Sequence, residues 1–311
     1  MLNEPLYPSQ SPLPWETALF QTSFVKRLKH LAHFGAGSFV SSVTHSRFEH
    51  TVGVWKLAVH FFPNNHLLRA ASILHDIGHL PFSHSVERAL GFDHHQLTKS
   101  YILHQEISSI LEQNNLSAET VCHYLDQDTP LTGSKNVLGL DHLDSFFRDT
   151  YMAGSVEELP RNIINRLTCS ADGIAASEED IDQLMQIIFA NNRLIHSPAL
   201  RAADYLLAES VRLHWQEAHS SFAFLIDAQV IAELLQSKNK QVTEMIHTLL
   251  YQPKPLVIST SVSGNGFVIP KGKIYAKQPL VNQTPYCNSE SGRAFQQKLS
   301  QLAQEYELVL T

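Results

Sequence analysis

The sequence predicts a mainly α protein: a helical bundle core, a helical extension and a small β-containing C-terminal part. Three observations carry this. Apolar residues recur at helical spacing in one segment after another between Trp15 and Tyr251. Gly and Pro punctuate those segments, as at Gly35-Ala36-Gly37, Pro63, Pro81 and Gly91. Two β-forming runs around a Gly-containing turn appear only after Pro253.

Taken in order, residues 1–15 are rich in Pro and Ser and read as an extended arm. Trp15 to Phe34 reads as one helix, with Leu19, Phe20, Phe24, Leu28 and Leu31 on its apolar face. Residues 38–43 read as β-like or loop. Ser46 caps the next helix with Glu49 at the third position, a capping-box pattern. Arg47 and His50 fall one turn apart on that helix. A further helix runs from about Ala70 to Pro81. Shorter helices follow around His84, Tyr101 to Ile110, and Ser117. Val137 to Tyr151 is helical, with Asp141, Ser145 and Arg148 on one face. By themselves, Asp141 and Asp144 read as solvated surface with an Asp144–Arg148 ion pair.

Helices are expected at Asp180–Phe189, Ala199–Trp215, Ile226–Leu235 and Val242–Tyr251. Leu256–Thr260 and Phe267–Ile269 predict a hairpin about the turn at 263–266, with more β text at Ile274–Ala276. Leu280–Glu290 reads as loop and Arg293–Tyr306 as helix. This divides the chain at residues 16–155, 156–252 and 253–311.

Composition sets limits on function. The 311 residues allow one large domain or two, and 43% hydrophobic residues suffice for a core. The net charge of −7 argues against wrapping nucleic acid, which needs Lys and Arg against phosphates. A small phosphorylated ligand held by a few local cations stays compatible. Three scattered cysteines, Cys122, Cys169 and Cys287, give no disulfide framework and fit a reducing cytoplasm. The opening MLNEPLYPSQSPLPWE lacks the basic flank and apolar stretch of a signal peptide, and no apolar run reaches the length of a membrane span.

The chemistry centres on AASILHDIGHLPFSHSVE, residues 70–87. It sets His75 beside Asp76, His79 one helical turn on, and His84 past a proline. In a chain of this composition, chance supplies an HDxGH string only about 0.002 times. On a helix, His75 and His79 share a face. Imidazole and carboxylate are ligands for divalent transition metals. Burying this many polar rings without a common partner would be costly.

The order His50, His75-Asp76, Asp141 resembles the HD-domain metal-dependent phosphohydrolases, closest to the deoxynucleoside triphosphate triphosphohydrolase-like branch. The matching text is SRFEHTVGV, LHDIGHLPFSHSVE, HHQLTKS and GLDHLDSFFRD. The resemblance implies an HD-domain helical bundle and a metal held by His50, His75, Asp76 and Asp141. It places His79, His84, Glu87 and His94 (or His95), with Thr98 in the same motif, around the pocket, and Arg47 against phosphate. A homo-oligomer is expected. Two positions depart from the branch: His142 stands where a lysine is usual, and Ser145 where a tyrosine meets the sugar. Both weaken the expectation of a strict deoxynucleoside triphosphate substrate.

The expected cofactor is one divalent transition metal (Mn, Fe, Co, Ni or Zn, with Mg as a further option), with room for a second ion. Arg47 and Arg148 would stabilise charge on phosphoryl oxygens. His84, oriented by Glu87, is the first candidate for protonating the leaving group, and His94 the second. His79, His142 and Ser145 complete the substrate set. The expected partner is a small phosphorylated substrate, a nucleotide first, with neither membrane nor nucleic acid. The competing readings are an inactive metal-binding regulatory module and a nucleic-acid phosphodiesterase.

Overall fold

Glu16 is fully buried, and its partners organise the first helices. Its carboxylate takes bonds from Arg69 Nε (2.7 Å), Arg69 Nη2 (2.6 Å) and Trp55 Nε1 (2.8 Å). Three segments distant in sequence are thereby joined, and a buried acid of this kind survives only because it is so fully paired. The computed structural model describes residues 4–215, 220–251, 257–260, 264 and 266–309. Within these, α1 (Pro14–Gln21), α2 (Ser23–Arg27), α3 (Arg47–Phe61) and α4 (His66–Leu74) open the core. Next come α5 (His84–Leu90), α6 (His94–Ile102), α7 (Gln105–Glu112), α8 (Ala118–Leu125) and α9 (Leu140–Met152). The extension holds α10 (Pro160–Ile164), α11 (Ile181–Ile195), α12 (Pro198–Trp215), α13 (Asp227–Leu235) and α14 (Lys240–Tyr251), and α15 (Glu290–Ser300) lies near the end. The fold is mainly α, as the sequence predicts.

The first helix is not continuous. Thr22 is extended (ψ 154°), and its hydroxyl accepts from Val25 N to start α2. A 3-10 turn at Gly35–Phe39 runs into residues 40–43, which form a loop, the second of the two readings for this stretch. The capping box at Ser46 and Glu49 forms as expected and fixes the start of α3. Trp55 packs edge-on against Phe20 at 5.5 Å in the main core. A second apolar cluster joins α5 to α12, α13 and α14 through Val86, Ala203, Leu207, Phe222 and Val230.

The β structure differs from the expected hairpin. β1 (Thr168–Ser170) and β2 (Gly173–Ala175) pair antiparallel. β3 (Val257–Ser259) and β4 (Phe267–Ile269) do not pair with each other. β5 (Leu280–Val281) runs parallel to β2, and β6 (Thr284–Pro285) closes that sheet. β7 (Tyr306–Val309) lies between β3 and β4, antiparallel to both. The alternation of each run was legible, but its partner was a third run 37 residues or more away in sequence. Leu256, Ser263 and Asn265 of the expected hairpin lie outside the described residues. Ile274–Ala276, expected as β, joins neither sheet. The buried Asn192 side chain takes its backbone instead: Oδ1 accepts from Tyr275 N at 3.0 Å and Nδ2 donates to Tyr275 O at 2.9 Å. None of the described helices is long and apolar enough to cross a membrane.

Candidate metal centre

The helix expected through Pro81 stops earlier. α4 ends at Leu74, and His75 is its C-cap. Beyond it the chain tightens into three-residue turns, with Ile77 N to Leu74 O at 3.4 Å and His79 N to Asp76 O at 3.1 Å. His75 and His79 are therefore placed by turns rather than by one helix face. Gly78 permits this. A Cβ there would collide with the His94 carbonyl and the Thr98 amide, so only Gly lets α6 approach. Thr98 Oγ1 accepts from Gly78 N (3.1 Å) and donates to His75 O (3.3 Å), which locks α6 onto the turn.

The structure brings His50, His75, Asp76 and Asp141 together. His50 Nε2 lies 3.1 Å from Asp141 Oδ1, 3.3 Å from His75 Nε2 and 3.6 Å from Asp76 Oδ2. His75 Nε2 lies 3.5 Å from Asp76 Oδ1 and 3.8 Å from Asp141 Oδ1. Ligands about 2.1 Å from one ion stand roughly 3.0–3.4 Å apart; His50, His75 and Asp141 offer donor atoms within 4.8 Å of one another, and Asp76 flanks both rings at slightly longer range, so the chemistry of this set suits a divalent metal. The opposite ring nitrogens are oriented from behind: His75 Nδ1 faces Ser72 O at 2.9 Å, and His50 Nδ1 faces Asp144 Oδ2 at 2.7 Å. Such outer contacts fix which nitrogen is free for a metal. Burial opposes charge on His50, but hydrogen bonds to Asp141 and Asp144 raise its pKa to about 10. Burial would raise the Asp76 carboxyl, yet His75, Arg47 and His79 hold it well below its usual range.

Asp144 and Arg148 form the ion pair read from the sequence, but inside the protein. Arg148 Nε and Nη2 donate to Asp144 at 3.0 and 2.9 Å, and Nη1 donates to Glu4 at 2.6 Å. Gly53 leaves the room for this pair against α3. Arg148 is 3% exposed and fully engaged, which corrects its expected role against substrate: it braces Asp144 instead. Arg47 is also buried; it bonds Asp76 and, through Nε, Ser83 Oγ at 2.6 Å.

A second cluster adjoins the first. His79 Nε2 lies 3.2 Å from Asp76 Oδ1, and its ring stacks on His94 at 4.1 Å. Glu87 receives His84 Nδ1 at 2.7 Å and also bonds His94 Nδ1. Burial raises the Glu87 carboxyl, but the bonds from His84 and His94 prevail and keep it ionised far into acid. His79, His84 and His94 each offer a nitrogen within 4.8 Å of the others. The His95 ring lies 4.0 Å from that of His94. His142 Nδ1 lies 3.7 Å from Asp141 Oδ2, and Ser145 Oγ donates to Asp141 O at 3.3 Å.

Sequence reasoning missed a third group, His33, His45 and Asp149, packed behind His50. Burial pushes the Asp149 carboxyl up to about 7. His33 and His45 bracket one loop, closed by His33 N to His45 O at 3.1 Å. It also missed Asp144 as a support for His50, for which the only signal was its place three residues after Asp141.

The HD domain family model matches residues 47–148. The chain contains an HD domain. All four candidate ligands fall within it, while Glu4 and Tyr275 do not. An uncharacterized protein of Methanocaldococcus jannaschii is 25% identical over 263 residues, 76% of this chain and 55% of that protein. A deoxynucleoside triphosphate triphosphohydrolase SAMHD1 homolog of Dictyostelium discoideum is 35% identical over 104 residues, 29% of this chain and 20% of that protein. The chain spans about half the length of several curated relatives it matches. The crystal structure of a hypothetical protein from Aquifex aeolicus superposes with a TM-score of 0.70 at 20% identity. It covers 98% of this chain and 94% of its own, which shows a shared fold.

Proposed function

We propose that this HD domain hydrolyses a phosphoester or phosphoanhydride of a small phosphorylated metabolite, a nucleotide first. HD domains belong to a superfamily of metal-dependent phosphohydrolases. The observation that carries the reading is the cluster of His50, His75 and Asp141 donor atoms with Asp76 beside both rings, next to Arg47 and the His84–Glu87–His94 group. A divalent ion held by those four residues would polarise a phosphoryl oxygen and acidify a water. Arg47 lies on the same carboxylate and would meet charge developing on the phosphoryl oxygens. Glu87 holds the Nδ1 atoms of His84 and His94, so their Nε2 atoms are left to pass a proton to the leaving oxygen. Asp144 keeps His50 in one orientation throughout.

His79, His84 and His94 are also spaced to hold a second ion, and in that use the two histidines would be ligands rather than acids. The partial similarity to a SAMHD1 homolog favours a nucleotide, and we further propose a homo-oligomeric assembly. The test is a screen of the full chain against nucleoside mono-, di- and triphosphates with Mn, Co, Fe, Ni, Zn and Mg in turn. Metal-dependent turnover that Asp76→Ala abolishes, with the fold retained, supports the reading. Full turnover and stoichiometric metal in Asp76→Ala would sink it.

A further inference from the structure

Resting on the hydrolase reading above, we propose that Lys273, Tyr275 and Lys277 form an anion-binding arm of the site. This arm would receive a second phosphate group of the substrate, beyond the one at the metal ligands.

The arm is held in place at both ends. His196 Nε2 bonds Lys273 O at 3.1 Å, and the fully buried Asn192 clamps the Tyr275 backbone on both sides. At the other end Gln278, also fully buried, exchanges backbone bonds with the residues just before α9: Gln278 N to Asn136 O at 3.0 Å and Leu138 N to Gln278 O at 2.9 Å. These bonds fix residues 273–278 beside the first turn of α9, which carries Asp141 and His142.

The Tyr275 side chain then faces the site. The Tyr275 ring lies 5.6 Å from the His142 ring, and His142 Nδ1 is 3.7 Å from Asp141. That His142 nitrogen is buried and has no hydrogen-bond partner among the described residues. The Tyr275 hydroxyl likewise makes no hydrogen bond among them. Burial raises the phenol's pKa, and Arg47, Asp141, Asp204 and Glu87 all act on it. Lys273 Nζ lies over the Tyr275 ring at 5.2 Å from its centre. Lys277 Nζ reaches the carbonyls of Thr132 and Gly133, and both lysines act electrostatically on His142.

Charge decides what this arm would take. The chain is acidic overall, at −7, yet this one short segment carries two lysines on either side of a phenol, and Lys273 Nζ lies over that phenol's ring beside the imidazole of His142. A single phosphate would already be served by an ion at the metal ligands and by Arg47. A neutral sugar or base gains little from two cations. A further phosphate gains from all of them. On α9, His142 and Ser145 stand where the resembled branch has a lysine and a tyrosine. The missing cation and phenol come instead from a segment about 130 residues later.

The test uses the full chain with magnesium in excess over the anion, and calorimetric titration with tripolyphosphate and with orthophosphate. Tripolyphosphate should bind about tenfold tighter than orthophosphate. Lys273→Ala and Tyr275→Phe should each remove most of that difference and leave orthophosphate binding within about twofold. Lys273 is exposed and Tyr275→Phe keeps the ring, so both variants should fold even if Lys277→Ala loosens the loop at Thr132. Wild-type affinity for tripolyphosphate in both variants would overturn the arm, as would equal binding of the two anions by the wild type. The hydrolase reading fails separately: no turnover with any metal, together with a Lys273→Ala defect in tripolyphosphate binding, would discard the activity and keep the arm.

Discussion

His50 and Asp144 share a 2.7 Å bond deep behind the candidate metal ligands, and Arg148 grips the same carboxylate through two further bonds. Asp144→Asn keeps the shape and removes the charge. We expect metal affinity to fall about 10–100-fold, the usual cost of losing such a support. Competition with a chromophoric chelator measures this. Unchanged affinity would mean that Asp144 only neutralises Arg148.

The two imidazoles on Glu87 differ in position. The His84 side chain is 55% exposed and that of His94 13%. The sequence put His84 first as proton donor, and the shared carboxylate makes both eligible. Each single alanine variant should lower kcat by about 10²–10⁴ with bound metal at the His50 centre retained. A variant that changes only KM identifies a histidine that binds substrate and leaves the proton to the other.

Gly78→Ala is the smallest change that should disable the site without touching a ligand. Its methyl group would meet backbone atoms of His94 and Thr98, which cannot swing aside as a flexible side chain could. Overpacking of this kind costs about 1–3 kcal/mol. Thermal unfolding should show that loss, and activity should fall further because α6 and His94 are pushed away from His79. Wild-type stability and turnover in Gly78→Ala would show that the turn is more pliable than its contacts suggest.

The local grammar of the chain was readable. Ser46 and Glu49 announced the start of α3, and the order His50, His75-Asp76, Asp141 picked out four residues that do converge. What could not be read was long-range pairing. Nothing in Arg148 itself tells that it turns inward to Glu4 rather than outward to a phosphate, because that depends on where the N-terminal arm lies. The same holds for β7, whose insertion between β3 and β4 depends on strands far away in sequence. Gly78 stood in the motif, but its reason, the approach of α6, is a tertiary contact.

Asp227 links the extension to this centre, and it sets a pH dependence. Its carboxylate accepts from Ala32 N at 2.7 Å and Phe82 N at 2.8 Å, and so steadies the turn whose Ser83 holds Arg47. Burial raises its pKa to about 6, against the pull of those two bonds. The unfolded value is about 3.9, so between these limits the folded chain keeps a proton that the unfolded chain has lost. This group's contribution to stability therefore declines as pH rises from about 4 to about 6, then levels off. Asp227→Asn should flatten that slope, seen as a smaller Tm difference between about pH 4.5 and about pH 7. An identical slope in the variant would assign the titration to another group.

Glu4 gives the fold a property that its family boundaries hide. Glu4 neutralises Arg148, Arg148 steadies Asp144, and Asp144 orients His50. A fragment cut at residues 47 and 148 would contain every candidate ligand and still lack the outermost charge of this relay, along with Asn192, Asp227 and Tyr275. Modularity in sequence and autonomy in chemistry are different things here. The HD segment carries the donor atoms, and residues on both sides of it supply the restraint that makes those atoms a site.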